Sequence, residues 1–119
     1  MKLFPRRRQQ GSAVAETAIA LGVLLIVFIA IIQAGMAMHA AVTASNAARE
    51  AARAAVTLPP GDPDSAAARA APGFAPDTSV IRSGESVTAY VTIKTPVVFR
   101  AFSQWAPTFT ASTTMRQER

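Results

Sequence analysis

Hydrophobic positions fall into two regimes along the chain. Between Thr17 and Met38 there is no charged side chain, and residues 18–32 are almost wholly Ala, Leu, Ile, Val and Phe. As a helix, these uncharged residues extend about 33 Å, enough to cross a hydrocarbon core of about 30 Å. The stretch from Ser12 to about Val56 contains no proline, and its interior glycines are Gly22 and Gly35. Its second half is alanine-rich, with the good helix formers Met36, Met38, Arg49, Glu50 and Arg53. Glu50 and Arg53 stand three apart, a spacing that pairs across one helical turn. One long helix of about 67 Å is therefore predicted. Its apolar first half, about 17–38, spans the membrane. The polar half carrying Ser45, Asn46, Arg49, Glu50 and Arg53 forms an exported stalk.

Thr57-Leu58-Pro59-Pro60-Gly61 ends that helix, because successive prolines remove donors and clash with the preceding turn. Asp62-Pro63-Asp64 then reads as a new helix start, with Asp62 as N-cap and Pro63 at the first helical position. Asp64 is favoured there by the helix dipole. This helix is short, about Pro63 to Ala71, and Pro72-Gly73 stops it.

From Thr78 onward the period changes to two. Val80-Ile81-Arg82 leads into the turn cluster Ser83-Gly84-Glu85-Ser86. The next run places Val87, Ala89, Val91 and Ile93 on one face and Thr88, Tyr90, Thr92 and Lys94 on the other. Pro96 ends it. Val97 to Trp105 is a mixed apolar segment, a loop or a short helix packing Phe99, Phe102 and Trp105. After Pro107 a last run directs Phe109, Ala111, Thr113 and Met115 inward and Thr110, Ser112, Thr114 and Arg116 outward. Three strands with one apolar face need a cover, and the alanine-rich half of the long helix is the available partner. The predicted class is α+β: a long N-terminal helix, a short second helix and a small antiparallel sheet of about three strands. The expected organisation is a leader at 1–11, the long helix at 12–56 and a small extracytoplasmic lobe at 57–119. The linker at 57–61 is too short to separate domains, and no internal repeat is visible.

With 119 residues the chain can build one small domain but not two sizeable cores. Half of it is hydrophobic, yet much of that is alanine, which contributes little burial per residue. The net charge of +5 is concentrated at the start: Lys2, Arg6, Arg7 and Arg8 precede the apolar run. The rest of the chain is nearly balanced. A basic patch without stacking aromatics, set against a membrane-length helix, reads as a topology signal rather than a nucleic-acid footprint. It predicts a cytoplasmic N-terminus and an exported C-terminus. There is no cysteine, which removes disulfides, thiol chemistry and most structural zinc sites.

Little in the chain points to catalysis. His39, the single histidine, falls among alanines just past the apolar run and reads as an interfacial side chain. Asp62, Asp64, Asp77 and Glu85 fall in turns or at a helix start, and no spacing pairs them as general acid and base. Neither a phosphate-binding glycine loop nor a metal-ligand spacing is present. The expectation is a protein without catalytic, cofactor or metal residues. Gly22 and Gly35 permit close approach by another helix and are candidate helix-packing positions.

Glu16 stands apart, a carboxylate at the entrance to a segment that otherwise avoids charge. It could serve simply as an interfacial residue favoured by the helix N-terminus. Its setting, RRRQQGSAVAET followed by about twenty apolar residues, resembles the class III signal of type IV pilins. The resemblance implies cleavage by a membrane prepilin peptidase between Gly11 and Ser12, which makes Glu16 the fifth mature residue. Such signals commonly carry Phe or Tyr after the glutamate, where this chain has Thr17. Cleavage there removes all four leader cations and creates an α-amino group at Ser12. A carboxylate among packed apolar helices is costly unless paired, and a neighbouring subunit's new amine suits it. Glu16 is thus a candidate subunit-assembly residue.

Within that group the chain resembles the TadE-like minor pilins or pseudopilins of the tight-adherence (Flp, type IVb) pilus machinery. Further points of likeness are SNAAREAARAA after the apolar run, VTAYVTIKTPVVF in the strand region and the closing FTASTTMRQE. The resemblance implies the membrane, a prepilin peptidase, a major Flp-type pilin, other TadE- or TadF-like proteins and an assembly platform as partners. It also implies residence in the bacterial cytoplasmic membrane as a single-pass protein. Two other readings of the apolar run remain open. One is an uncleaved single-pass anchor with an extracytoplasmic binding lobe. The other is a secreted protein cut after Ala37, at Gly35-Met36-Ala37.

Overall fold

A computed structural model describes residues 7–57, 59–98 and 100–117. The expectations for leader residues 1–6, Arg6 among them, and for Phe99 lie outside the described residues. So do those for the side chains of Arg7, Arg8 and Phe102. Among the described residues the helices and strands are α1 (Arg7–Val56), α2 (Pro63–Ala70), β1 (Asp77–Ser83), β2 (Ser86–Lys94) and β3 (Thr108–Arg116). A 3-10 helix, Arg100–Trp105, joins the last two strands. The chain divides into two compact units, Met1–Gln33 and Ala34–Arg119.

Helix α1 begins at Arg7, five residues before the start expected from the sequence. Arg and Gln are good helix formers, and extending an existing helix costs far less than nucleating one. The far end of α1 closes through local bonds. Thr57 Oγ1 and the Gly61 backbone N–H both donate to the Ala54 carbonyl, at 2.8 and 2.9 Å. A Cβ at Gly61 would meet that carbonyl oxygen at 3.3 Å. Asp62 caps α2 as its sequence predicts: its carboxylate accepts from the backbone N–H groups of Asp64 and Ser65 at 3.2 and 3.3 Å. Pro63 follows at the first position. The Glu50–Arg53 pair also forms, at 3.6 Å on the solvent side.

The unit Ala34–Arg119 is built around a three-stranded antiparallel sheet in the order β1-β2-β3. Val80, Ala89 and Thr113 stand in one row across it, as do Thr78, Val91 and Ala111. The predicted inner face of β2 is confirmed, since Val87, Ala89, Val91 and Ile93 are all buried. On β3 the expected inward set Phe109, Ala111, Thr113 and Met115 is half-buried and alternates with exposed neighbours. The outer face is polar and tied across strands by hydroxyl pairs, Thr88 with Thr114 at 2.8 Å and Thr92 with Thr110 at 2.9 Å.

The cover over the inner face is the second part of α1, together with α2. Ala40, Ala44, Ala47, Ala48, Ala51 and Ala52 join Ala67, Ala71, Ala89, Val91 and Ile93 in one apolar core. Their spacing of three and four puts the α1 members on a single helix face. A face of methyl groups lets a helix lie close to a sheet, but each residue buries little area. Among the described residues, the largest fully buried side chains are therefore Ile93, Val87 and Val91. One expectation is overturned here: Trp105 does not pack into the core but is 77% exposed. With the sheet already sealed by alanine faces, no recess is left for an indole.

The β1–β2 hairpin turns through two residues, Gly84 and Glu85, between the paired Ser83 and Ser86. Gly84 has φ +60°, and among the described residues no non-glycine residue has positive φ. A positive φ at the first central position alone is the type II′ pattern, which matches strand twist and favours glycine. Glu85 ties the turn to the end of β3: its carboxylate meets Arg116 at 2.7 Å and its carbonyl accepts from Gln117 N–H. Gly84→Ala is expected to destabilise this unit by about 1 kcal/mol, the cost of a Cβ in left-handed conformation. Chemical denaturation of the two proteins side by side measures it.

Candidate functional site

Of the residues singled out by sequence, all but Gly35 belong to the first unit, whose described part is helical throughout. Gly11, Ser12 and Glu16 fall within about one and a half turns and are all exposed. A Cβ added at Gly11 would meet nothing within 4 Å. Arg7 and Arg8 lie in the first turn, which holds no acidic residue. Among the described residues, no ion pair engages Glu16. Thr17, which follows it, donates its hydroxyl to the Ala13 carbonyl at 2.8 Å. That back-bond satisfies the hydroxyl within its own helix.

Beyond Thr17 the helix is apolar on all sides. Leu24 is 63% and Phe28 59% exposed, and their neighbours along the run are similarly bare. The most apolar 18-residue stretch has a mean hydropathy of 2.7 and none of it is buried. A soluble core helix would be covered by its own fold, and this one is not. By length and composition it can cross a membrane. Leu21, Leu24, Leu25, Phe28 and Ile31 line one shallow groove along it, and Ala13, Val14, Thr17, Ala18 and Leu21 a second.

Gly22 belongs to the first unit and Gly35 to the second. An added Cβ at either would meet nothing within 4 Å, so packing inside this chain does not require glycine there. Gly11 and Gly22, eleven residues apart, lie within about 20° of one face of a helix. Glu16 lies well round from that face, so these candidate positions do not converge on one spot. His39 is exposed on α1, its ring tilted 42° and 5.8 Å from that of Phe74. Among the described residues, no group of three or more His, Asp or Glu side chains is placed to hold a metal ion. Sequence reasoning missed the bareness of Met38 and Val42, 72% and 60% exposed on α1 in the second unit. The signal was present: both fall off the alanine face that seals the sheet.

No curated protein and no solved structure matches this chain. A family model does. It is the one described as TadE-like protein, and the matched residues are 11–53. That span begins at Gly11 and takes in Glu16, the apolar run and most of the alanine face. Over this segment the chain is similar to the TadE-like family of the tight-adherence pilus system.

Proposed function

We propose that this chain is a membrane-anchored minor pilin or pseudopilin that takes part in assembly of a tight-adherence type IVb pilus. The observation that carries the proposal is a bare apolar helix headed by a lone carboxylate, inside a segment that is TadE-like. The role is structural rather than enzymatic. The leader arginines Arg6, Arg7 and Arg8 hold the N-terminus in the cytoplasm, the helix crosses the membrane once, and the lobe is extracytoplasmic. A prepilin peptidase cuts between Gly11 and Ser12.

After the cut, the helix packs against a major Flp-type pilin and other TadE- or TadF-like subunits at the assembly platform. Gly22 and Gly35 supply places where a neighbouring backbone can approach. In a single chain these glycines forfeit about 1 kcal/mol of helix propensity each without an internal packing need, which supports a contact with another chain. Glu16 meets the α-amino group of a neighbouring subunit.

N-terminal sequencing of membrane-extracted protein tests the processing step. Ser12 as first residue is the expected result. Met38 would support a secreted protein cut after Ala37, and an intact Met1 a plain anchor. Gly11→Val, which places a branched side chain at the scissile bond, is expected to leave the unprocessed form dominant in the same measurement. Equal processing of that variant would count against a cut at Gly11.

A further inference from the structure

The unit Ala34–Arg119 has two distinguishable ends. The chain enters it at Ala34, and Ala34–His39 form its first helical turns. His39 touches Phe74, and Phe74 precedes β1 by three residues, a reach of about 10 Å at most. Asp77, the first residue of β1, pairs with Thr92, and Lys94 pairs with Thr108. The β2–β3 connection, residues 95–107, therefore lies at the end of the sheet where the chain enters the unit. The Gly84-Glu85 hairpin lies at the other end, separated by β2, which at nine residues is about 30 Å long.

That connection carries side chains poorly suited to water. Trp105 is 77% and Val98 43% exposed. Around them the charge is mainly positive: Arg100 on the same connection, Lys94 at the end of β2 and Arg69 in the last turn of α2 are all exposed, against Asp77. The core of this unit is filled with alanines while its bulkiest apolar side chain stays outside. An indole pairs an apolar ring with one N–H donor, which suits the boundary between headgroups and hydrocarbon. The apolar run of α1 continues into this unit as far as Met38, the residue before His39.

We propose that the β2–β3 connection is a membrane-interface contact. Trp105 inserts at the headgroup boundary of the bilayer that the apolar helix crosses, and Arg69, Lys94 and Arg100 face anionic lipid headgroups. The inference rests on the reading of the chain as anchored by that helix. Such a contact fixes the lobe against the membrane before assembly, and extraction of the subunit must break it. Attraction of basic side chains to an anionic surface acts within about a Debye length, roughly 8–10 Å, so the contribution of these residues falls as salt is raised.

Trp105 is the single tryptophan, so tryptophan emission from the full chain reports this site alone. The chain is reconstituted in vesicles of phosphatidylcholine and phosphatidylglycerol, with acyl chains brominated either near the headgroup or near the terminal methyl. The expected result is a loss of emission that is greater with bromine near the headgroup. Emission indifferent to bromine overturns the proposal. If its wavelength is water-like the indole stays in solvent, and if blue-shifted it is covered by protein, such as a second copy. Flotation separates this failure from that of the anchoring reading. A chain that floats with vesicles but shows no quenching keeps the anchor and loses the interface contact. A chain that does not float loses both. The double variant Lys94→Glu with Arg100→Glu is expected to float normally but lose quenching, and unchanged quenching would overturn the part given to the basic residues.

Discussion

Replacing Glu16 by alanine is expected to leave membrane insertion intact while abolishing co-purification with partner pilins. The side chain sits at the head of the apolar run, outside any internal ion pair among the described residues, so its removal takes nothing from the fold of its own chain. In the proposed assembly the same carboxylate lies among apolar helices, where a charge is tolerated only with a partner. Loss of Glu16 leaves the neighbour's N-terminal amine buried and unpaired. Breaking a buried pair from one side costs about 3–5 kcal/mol, which corresponds to more than a hundredfold loss of association. Glu16→Gln, which keeps shape and hydrogen bonding without charge, should recover part of that loss. The measurement is recovery of partner pilins with each variant extracted from membranes, set beside the amount inserted. Unchanged recovery and unchanged pili in Glu16→Ala would remove the role assigned here.

Ile93→Ala is expected to lower the stability of the second unit by about 2–5 kcal/mol, the range for deleting buried aliphatic groups with incomplete collapse. The size of the effect follows from the core around it. Ile93 is fully buried, with Phe109 as its cross-strand partner, and the buried residues of the core cluster are mostly alanines, already cut back to a methyl group. Those alanines have no longer rotamer with which to refill the space. Domains of this size are stable by only about 5–15 kcal/mol, so this single change removes a large share. Hydrogen exchange of the β2 amides in the full chain reads the loss directly. Protection equal to the parent's would place the stabilising contacts elsewhere than at the alanine-lined face.

Much of the fold is legible because local chemistry and tertiary packing agree. Strict alternation in β2 matches a strand buried on one side, and the same register carries β3. Asp62-Pro63-Asp64 announces α2 through side-chain and dihedral preferences that act within one turn, so no distant contact can alter them. Gly84 marks the hairpin because that turn type needs a positive φ. The start of α1 was not legible, because basic residues before an apolar run satisfy a leader and a helix equally well. Trp105 misled for a different reason. A large aromatic predicts burial on average, yet whether space exists for it depends on what other segments have already filled.

The candidate site divides the same way. Gly11, Ser12, Glu16 and the length of the apolar run are properties of consecutive residues, and the helix presents them in that order. Periodicity, proline, glycine and charge act over a few residues, so sequence alone determined the long helix, the membrane-length run and the strand faces. Tertiary structure decided that alanines of α1, α2 and β2 share one core, that the indole of Trp105 is left outside it, and that the β2–β3 connection lies at the end where the chain enters the lobe. Those outcomes depend on strand register and on which surfaces meet, and surfaces far apart in sequence meet only once the chain has folded.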